Sequence, residues 1–305
     1  MESQRIAVIL SLLQAHRDHA SVQEQGCDAL GNLATNGENQ VSIAKARGIV
    51  AIVSGTKAHI DHAGVQEQAF AALANLATNA ENRVSIANAG GIAAILSGMK
   101  ARIYHAGIQE EGCRALGYLA LDNDDNKVSI AKAGGIVSIV TGMKAHRDHA
   151  GVQEKGCSAL GYLASDNDDN EVSIAKAGGI AVIVSGMKAH IDHAGIQVKG
   201  CRALEYLAEN DDNTVSIAKA GGITAIVSGM EAHRDHTGVQ QQGVRAVYNL
   251  ASDNSANKVS IADLGGITAI VSSIVAWNRT TTTLVSNIWD VLHSVILLPT
   301  MLKIK

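Results

Sequence analysis

Ten of the twelve histidines stand in five HxxH pairs: His16/His19, His59/His62, His146/His149, His190/His193 and His233/His236. Two imidazoles at i, i+3 can chelate a transition metal, and Asp18, Asp61, Asp148, Asp192 and Asp235, one inside each pair, could add an oxygen ligand. The pairs nevertheless fall in polar turns ahead of amphipathic stretches, where His or Asp serves as a helix cap and a solvent-facing corner. His105 stands alone because Arg102 replaces its partner. A structural row with no metal is therefore expected, with a metal- or pH-responsive edge as the lesser reading.

Other chemistry fares no better. The loops LDNDDN, SDNDDN and ENDDN suggest calcium, but an EF-hand needs Gly at its sixth position and Glu at its twelfth. Counted from Asp122, those positions are Lys127 and Ala133. The double glycines lack GxGxxG or Walker spacing. Ser, Cys and His recur as copies, and no unique nucleophile stands beside a base, so neither enzymatic activity nor a cofactor is expected.

The reason for all this copying is a repeat of 43 or 44 residues, counted on one dipeptide: Val22-Gln23, Val65-Gln66, Ile108-Gln109, Val152-Gln153, Ile196-Gln197 and Val239-Gln240. That period marks a solenoid, one domain growing by nearest-neighbour contacts. One Pro, 3% aromatics and abundant Ala, Ile and Val describe closely packed helices, with 30 Gly as punctuation. A net charge of −4 disfavours nucleic acid. The opening apolar run and the segment from Ser294 to Leu302 are both too short to span a membrane. Asn278-Arg279-Thr280 is a glycosylation sequon in form only.

Cys27, Cys113, Cys157 and Cys201 share their repeat position with Phe70 and Val244, so the position belongs to the core. Neighbouring copies should lie ~10 Å apart, beyond the ~7 Å reach of a disulfide. Buried reduced thiols, and a cytoplasmic or nuclear location, are expected.

The stretch from Asn82 to Ala120 shows the anatomy of one repeat. Asn82 reads as the N-cap of a short helix with Val84, Ile86 and Ala87 inward, and Asn39, Asn126, Asn170, Asn213 and Asn257 repeat that position. Gly90-Gly91 ends it through a left-handed cap. A second helix carries Ile92, Ile95, Leu96 and Met99, and after a polar turn a third buries Ile108, Cys113, Ala115, Leu116, Leu119 and Ala120.

With its capping Asn and Val-x-Ile, the Ala-Gly-Gly-Ile turn, Val-Gln-Glu opening the third helix and Ala-Leu-x-Asn-Leu-Ala closing it (Ala29 to Ala34, Ala72 to Ala77), the chain resembles the armadillo repeat family. The resemblance covers roughly residues 5 to 275. It implies an all-α, right-handed α-α superhelix of three-helix repeats: 1–36 lacking the first helix, then 37–79, 80–123, 124–167, 168–210 and 211–254, with 255–305 as a degenerate capping repeat. After Ala276 the pattern changes, yet Leu284, Trp289, Val291, Leu292 and Val295 still fit the buried positions of a third helix. A piece of a longer array is the other reading of the ends, and an uncapped first repeat would invite self-association.

In armadillo proteins the third helices line a groove for an extended peptide, and an Asn near the end of that helix holds the peptide backbone. The resemblance carries this role to Asn32, Asn75 and Asn249, whereas Tyr118, Tyr162 and Tyr206 replace Asn in the middle copies. Where import adaptors of the family have Trp, this chain has Asp28, Ala71, Arg114, Ser158, Arg202 and Arg245, which argues against a receptor for basic signals. Gln25, Gln68, Glu111, Lys155, Lys199 and Gln242 share the same face by i, i+3 and i+4 spacing. Arg114, Lys155, Lys199, Arg202 and Arg245, tempered by Glu111 and Glu205, point to an acidic or phosphorylated partner segment of roughly 15 residues. The alternative is a structural or oligomerising segment of a larger signalling protein of kinase or ubiquitin-ligase type.

Overall fold

The computed structural model describes residues 2–252 and 254–277. Among these the chain forms nineteen α-helices and no strand, an all-helical solenoid of three-helix repeats. They fall into two compact units, Met1–Leu163 and Ala164–Lys305. The positions proposed for a last third helix (Leu284, Trp289, Val291, Leu292, Val295), the sequon and the segment from Ser294 lie outside the described residues.

Unit 1 opens with a second-type helix, α1 (Glu2–Ala15), and a third-type helix, α2 (Ala20–Leu33). Three full repeats follow: α3 (Gly37–Lys45), α4 (Gly48–Ala58) and α5 (Ala63–Leu76); α6 (Ala80–Asn88), α7 (Gly91–Ala101) and α8 (Ala106–Ala120); α9 (Asp124–Lys132), α10 (Gly135–Ala145) and α11 (Ala150–Ala164). Unit 2 contains α12 (Asp168–Lys176), α13 (Gly179–Ala189), α14 (Ala194–Leu207), α15 (Asp211–Lys219), α16 (Gly222–Ala232), α17 (Thr237–Ala251), α18 (Ser255–Asp263) and α19 (Gly266–Trp277). No single helix among the described residues is long and apolar enough to cross a membrane.

The first helix of each repeat starts three residues earlier than the sequence suggested. The N-caps are Asn36, Asn79, Asn123, Asn167, Asn210 and Asn254, whose side chains accept the backbone N–H three residues on. Asn82 and its counterparts have a different task. The Asn82 Nδ2 donates to the carbonyls of Leu76 at 3.2 Å and, one repeat back, Gln40 at 3.4 Å. Asn126 ties Leu119 to Arg83 in the same way, and Asn257 ties Leu250 to Thr214. A buried amide thus joins the end of one third helix to the preceding first helix, satisfying carbonyls that a helix terminus leaves over.

Two further details differ from expectation. Ile86 is fully buried, but Val84 is 48% exposed, and Val128, Val215 and Val259 likewise face out. In a helix of only nine residues, the single Ile anchors the inward face while the Val two positions earlier turns away. The double glycine, in contrast, works as expected, with a separate reason for each member. Gly90 has a φ of +80°, and a Cβ on Gly91 would stand 2.4 Å from Ile86 Cγ2 and 2.8 Å from its carbonyl oxygen.

The Val/Ile-Gln dipeptide marks the joint between the second and third helices. Gln109 is fully buried, and its Nε2 donates to the carbonyls of Met99 at 2.8 Å and Arg102 at 3.1 Å. Gln23, Gln66, Gln153, Gln197 and Gln240 make the equivalent pair of bonds, closing the last turn of each second helix. Around them the third helices pack closely. A Cβ on Gly117 would lie 3.2 Å from the Ala159 backbone, and Ile108, Leu116 and Leu119 are fully buried.

The four cysteines are buried and form no disulfide. Burial raises the thiols of Cys27, Cys113 and Cys157 to about 12. Ellman's reagent is therefore expected to label none of the four in the native protein at neutral pH and all four in denaturant. Fast native labelling would mean that the core opens at these positions.

Candidate functional site

On the third helices the two units treat their charges differently. In unit 1, Arg114 on α8 is fully engaged. Its Nε donates to Glu111 Oε2 at 2.7 Å, Nη1 to Asn75 Oδ1 at 2.8 Å and Nη2 to the Ala71 carbonyl at 3.3 Å. A carboxylate, an amide oxygen and a carbonyl thus engage all three nitrogens of the fork. Glu111 is raised from its ordinary value by burial, against which the Arg114 charge acts.

The asparagines of unit 1 are also engaged. The Asn75 Nδ2 donates to the Gly31 carbonyl at 2.9 Å, so this side chain holds α5 to α2 while its oxygen holds Arg114. The Asn32 Nδ2 donates to Asp28 Oδ1 at 3.1 Å, and Lys155 pairs with Glu154 at 2.9 Å. Tyr118 and Tyr162 are half-buried on the same face.

In unit 2 the cations of this face are less engaged. Lys199, Arg202, Glu205 and Tyr206 follow one another along α14, all half-buried, and α17 adds exposed Arg245 and half-buried Asn249. The Asn249 Nδ2 donates to the Glu205 carbonyl at 3.1 Å, repeating the Asn75 tie, and Arg202 makes one long bond of 3.4 Å to Gln242. Glu205 is raised by burial, opposed by the charges of Arg245 and Arg202. Two guanidinium groups and the carboxylate of Glu209 therefore act on Glu205, and none of Arg202, Arg245 and Lys199 makes a close ion pair among the described residues.

The histidine row resolves into two structural positions. The second His of four pairs and the lone His105 cap the third helix: the Nδ1 atoms of His62, His105, His149, His193 and His236 accept backbone N–H groups at 3.2–3.4 Å, whereas His19 holds the N-cap position without a side-chain bond. The first His closes the second helix and reaches back one repeat, with His59 Nε2 bonded to the Arg17 carbonyl at 2.7 Å and His146 Nε2 to that of Ile103 at 2.8 Å. Among the described residues no group of three His, Cys, Asp or Glu is placed to hold a metal ion. The loop asparagines Asn123, Asn167 and Asn210 are the helix caps already described.

Two features escaped sequence reasoning, although each is visible as a copy unlike its sisters. Arg47 stands where the other repeats have Gly90, Gly134, Gly178, Gly221 and Gly265, and it takes the same left-handed conformation with a φ of +64°. Glu171 stands where Gln40, Arg83, Lys127 and Thr214 stand elsewhere, and it is 2% exposed. Burial raises it to about 7, helped by Glu209, Asp168 and Asp166.

No protein-family profile matches the sequence, and no curated protein does. Solved structures are similar. A crystal structure of an engineered protein from the Northeast Structural Genomics Consortium superposes with a TM-score of 0.78 at 26% identity, covering 95% of this chain and 67% of that one. A designed armadillo repeat protein gives a TM-score of 0.65 at 18% identity over 79% of this chain and 98% of its own. Another, solved in complex with the peptide (KR)4, gives the same values. At such identities the designed proteins establish a shared fold.

Proposed function

We propose that the chain is an armadillo-type protein-binding scaffold without catalytic activity, whose third-helix face holds an extended acidic or phosphorylated segment. The selectivity resides in unit 2. One observation carries this: the charge of Arg114 in unit 1 is already countered by Glu111 and Asn75, whereas Lys199, Arg202 and Arg245 make no close ion pair among the described residues. Arg and Tyr are the usual energetic anchors of interfaces, and a guanidinium can grip a carboxylate or phosphate with two bonds. A designed protein of this fold holds the basic peptide (KR)4. The unit 2 face would repel such a ligand and attract one of opposite sign.

The test is fluorescence anisotropy with a labelled, Glu-rich octapeptide containing one Tyr. Reversing both charges, Arg202→Glu with Arg245→Glu, is expected to weaken binding by about tenfold or more, because two charge-assisted contacts become repulsions. Arg114→Glu should cost less than about threefold, since that guanidinium is occupied within the fold. Unchanged affinity in the double reversal would refute the reading.

A further inference from the structure

We infer that the cleft between α1 and α4 binds a carboxylate carried on an apolar body, as at the C-terminal residue of a peptide. The cleft has a volume of about 510 Å³. Leu10, Leu13, Val50 and Ala51 supply apolar lining, and Arg17 and Arg47 also line it. A concave apolar chamber with a few converging polar groups is the usual form of a small-ligand site. Both arginines are exposed, and neither guanidinium has an ion-pair partner among the described residues. Asp18 is the one acid in the lining, so the lining carries a net positive charge.

Arg47 is the more telling of the two. It holds a backbone conformation that L-residues avoid, at a site where five sister repeats use glycine. Those junctions are built differently. At two of them a lysine of the preceding second helix fills the space, with Lys57 Nζ 3.1 Å from where a Cβ on Gly90 would be and Lys188 Nζ 2.8 Å from the same point on Gly221; at Gly134 nothing lies within 4 Å, and at Gly265 the neighbour is Glu231 Oε1 at 3.9 Å. In α1 the counterpart of Lys57 is Gln14. The first junction therefore lacks the lysine, keeps an open chamber, and supplies its cation from the opposite wall as a planar fork suited to a carboxylate.

Calorimetric titration of the full chain with acetyl-Gly-Leu and with its C-terminal amide tests the assignment. The free acid is expected to bind about tenfold or more tightly than the amide. Arg17→Ala and Arg47→Gly should each weaken the acid by about fivefold or more, and Arg47→Gly should do so while keeping or raising the melting temperature, because glycine suits the left-handed backbone. A purely structural arginine would show the stability change without the loss of binding. Hexanoate separates the sources: equal affinity assigns the cleft to small apolar carboxylates, weaker affinity to a chain terminus, and the inference stands in either case. Equal binding of acid and amide, or no binding of the acid at about 10 mM, well above the affinity a paired carboxylate in an apolar cleft should give, overturns it. The cleft contains none of Lys199, Arg202 and Arg245, so this failure would leave the third-helix reading untouched.

Discussion

Glu171→Gln is expected to make the protein more stable at neutral pH and to remove much of its pH dependence between about 5 and 7. Glu171 is 2% exposed and lies in the field of Glu209, Asp168 and Asp166. Burial first, and these carboxylates second, raise it from 4.5 to about 7. A carboxyl with a raised folded value favours folding in its protonated form. Its contribution is complete below the unfolded value and is lost as pH climbs through about 7. A shift of this size corresponds to roughly 3 kcal/mol withdrawn by pH 8.

Glutamine keeps the shape, removes the charge and restores a donor. At the sister position, the Gln40 Nε2 donates to the carbonyls of Ala34 and Asn75. Thermal melts from pH 4.5 to 8 provide the check. The wild-type midpoint should fall as pH rises while that of the variant stays nearly level, with a gap of roughly 4–8 °C at pH 8. Parallel curves would show that Glu171 is solvated.

The parts of this molecule that were legible in the sequence were those set by period. The three-helix repeat, the Gly-Gly turn and the core positions of Ile108, Cys113, Leu116 and Leu119 follow from spacing alone, because a repeat that packs on its own copy must place the same residue in the same environment. What was misread involved choices that spacing does not distinguish. Asn79 and Asn82 are three residues apart and chemically identical, and only the geometry shows that the first caps the helix while the second bridges two repeats. Val84 looked internal because two turns of helix are too short for a period to fix a face.

At the candidate site the limit was of another kind. Glu111 is visible three residues before Arg114, but the bond from Arg114 to Asn75 spans 39 residues and crosses between repeats. A row of like residues therefore reads as a charged stripe until the neighbour that neutralises one member is placed. Arg47 and Glu171 were available as signals all along. In an array copied from one unit, the residue that departs from its sisters at a buried or left-handed position is where the physical cost is concentrated.

Gly142→Ala is expected to change sign according to what stands at position 109. In an ordinary helix interior, replacing Gly by Ala stabilises by about 1 kcal/mol through backbone entropy. At Gly142 in α10, however, a Cβ would lie 2.6 Å from Gln109 Oε1, inside any permitted contact. The amide cannot swing aside cheaply, because its Nε2 is held by the carbonyls of Met99 and Arg102, and its oxygen is already buried without a partner. Gly142→Ala in the wild type should therefore destabilise by roughly 1–3 kcal/mol, the range for overpacking a close-packed core. Gln109→Ala alone should cost about 2–4 kcal/mol, since it strands two helix-end carbonyls and leaves a cavity. In that background the clash is gone and the added methyl partly fills the space, so Gly142→Ala should become neutral or stabilising. Urea unfolding of the four chains gives the coupling directly, and a value of at least about 1.5 kcal/mol is expected. Additive effects would mean that the Gln does not bear on the next repeat. A large coupling would give the dipeptide that counts the repeats a physical meaning, as the point where the capped end of one second helix sets how closely the next can approach.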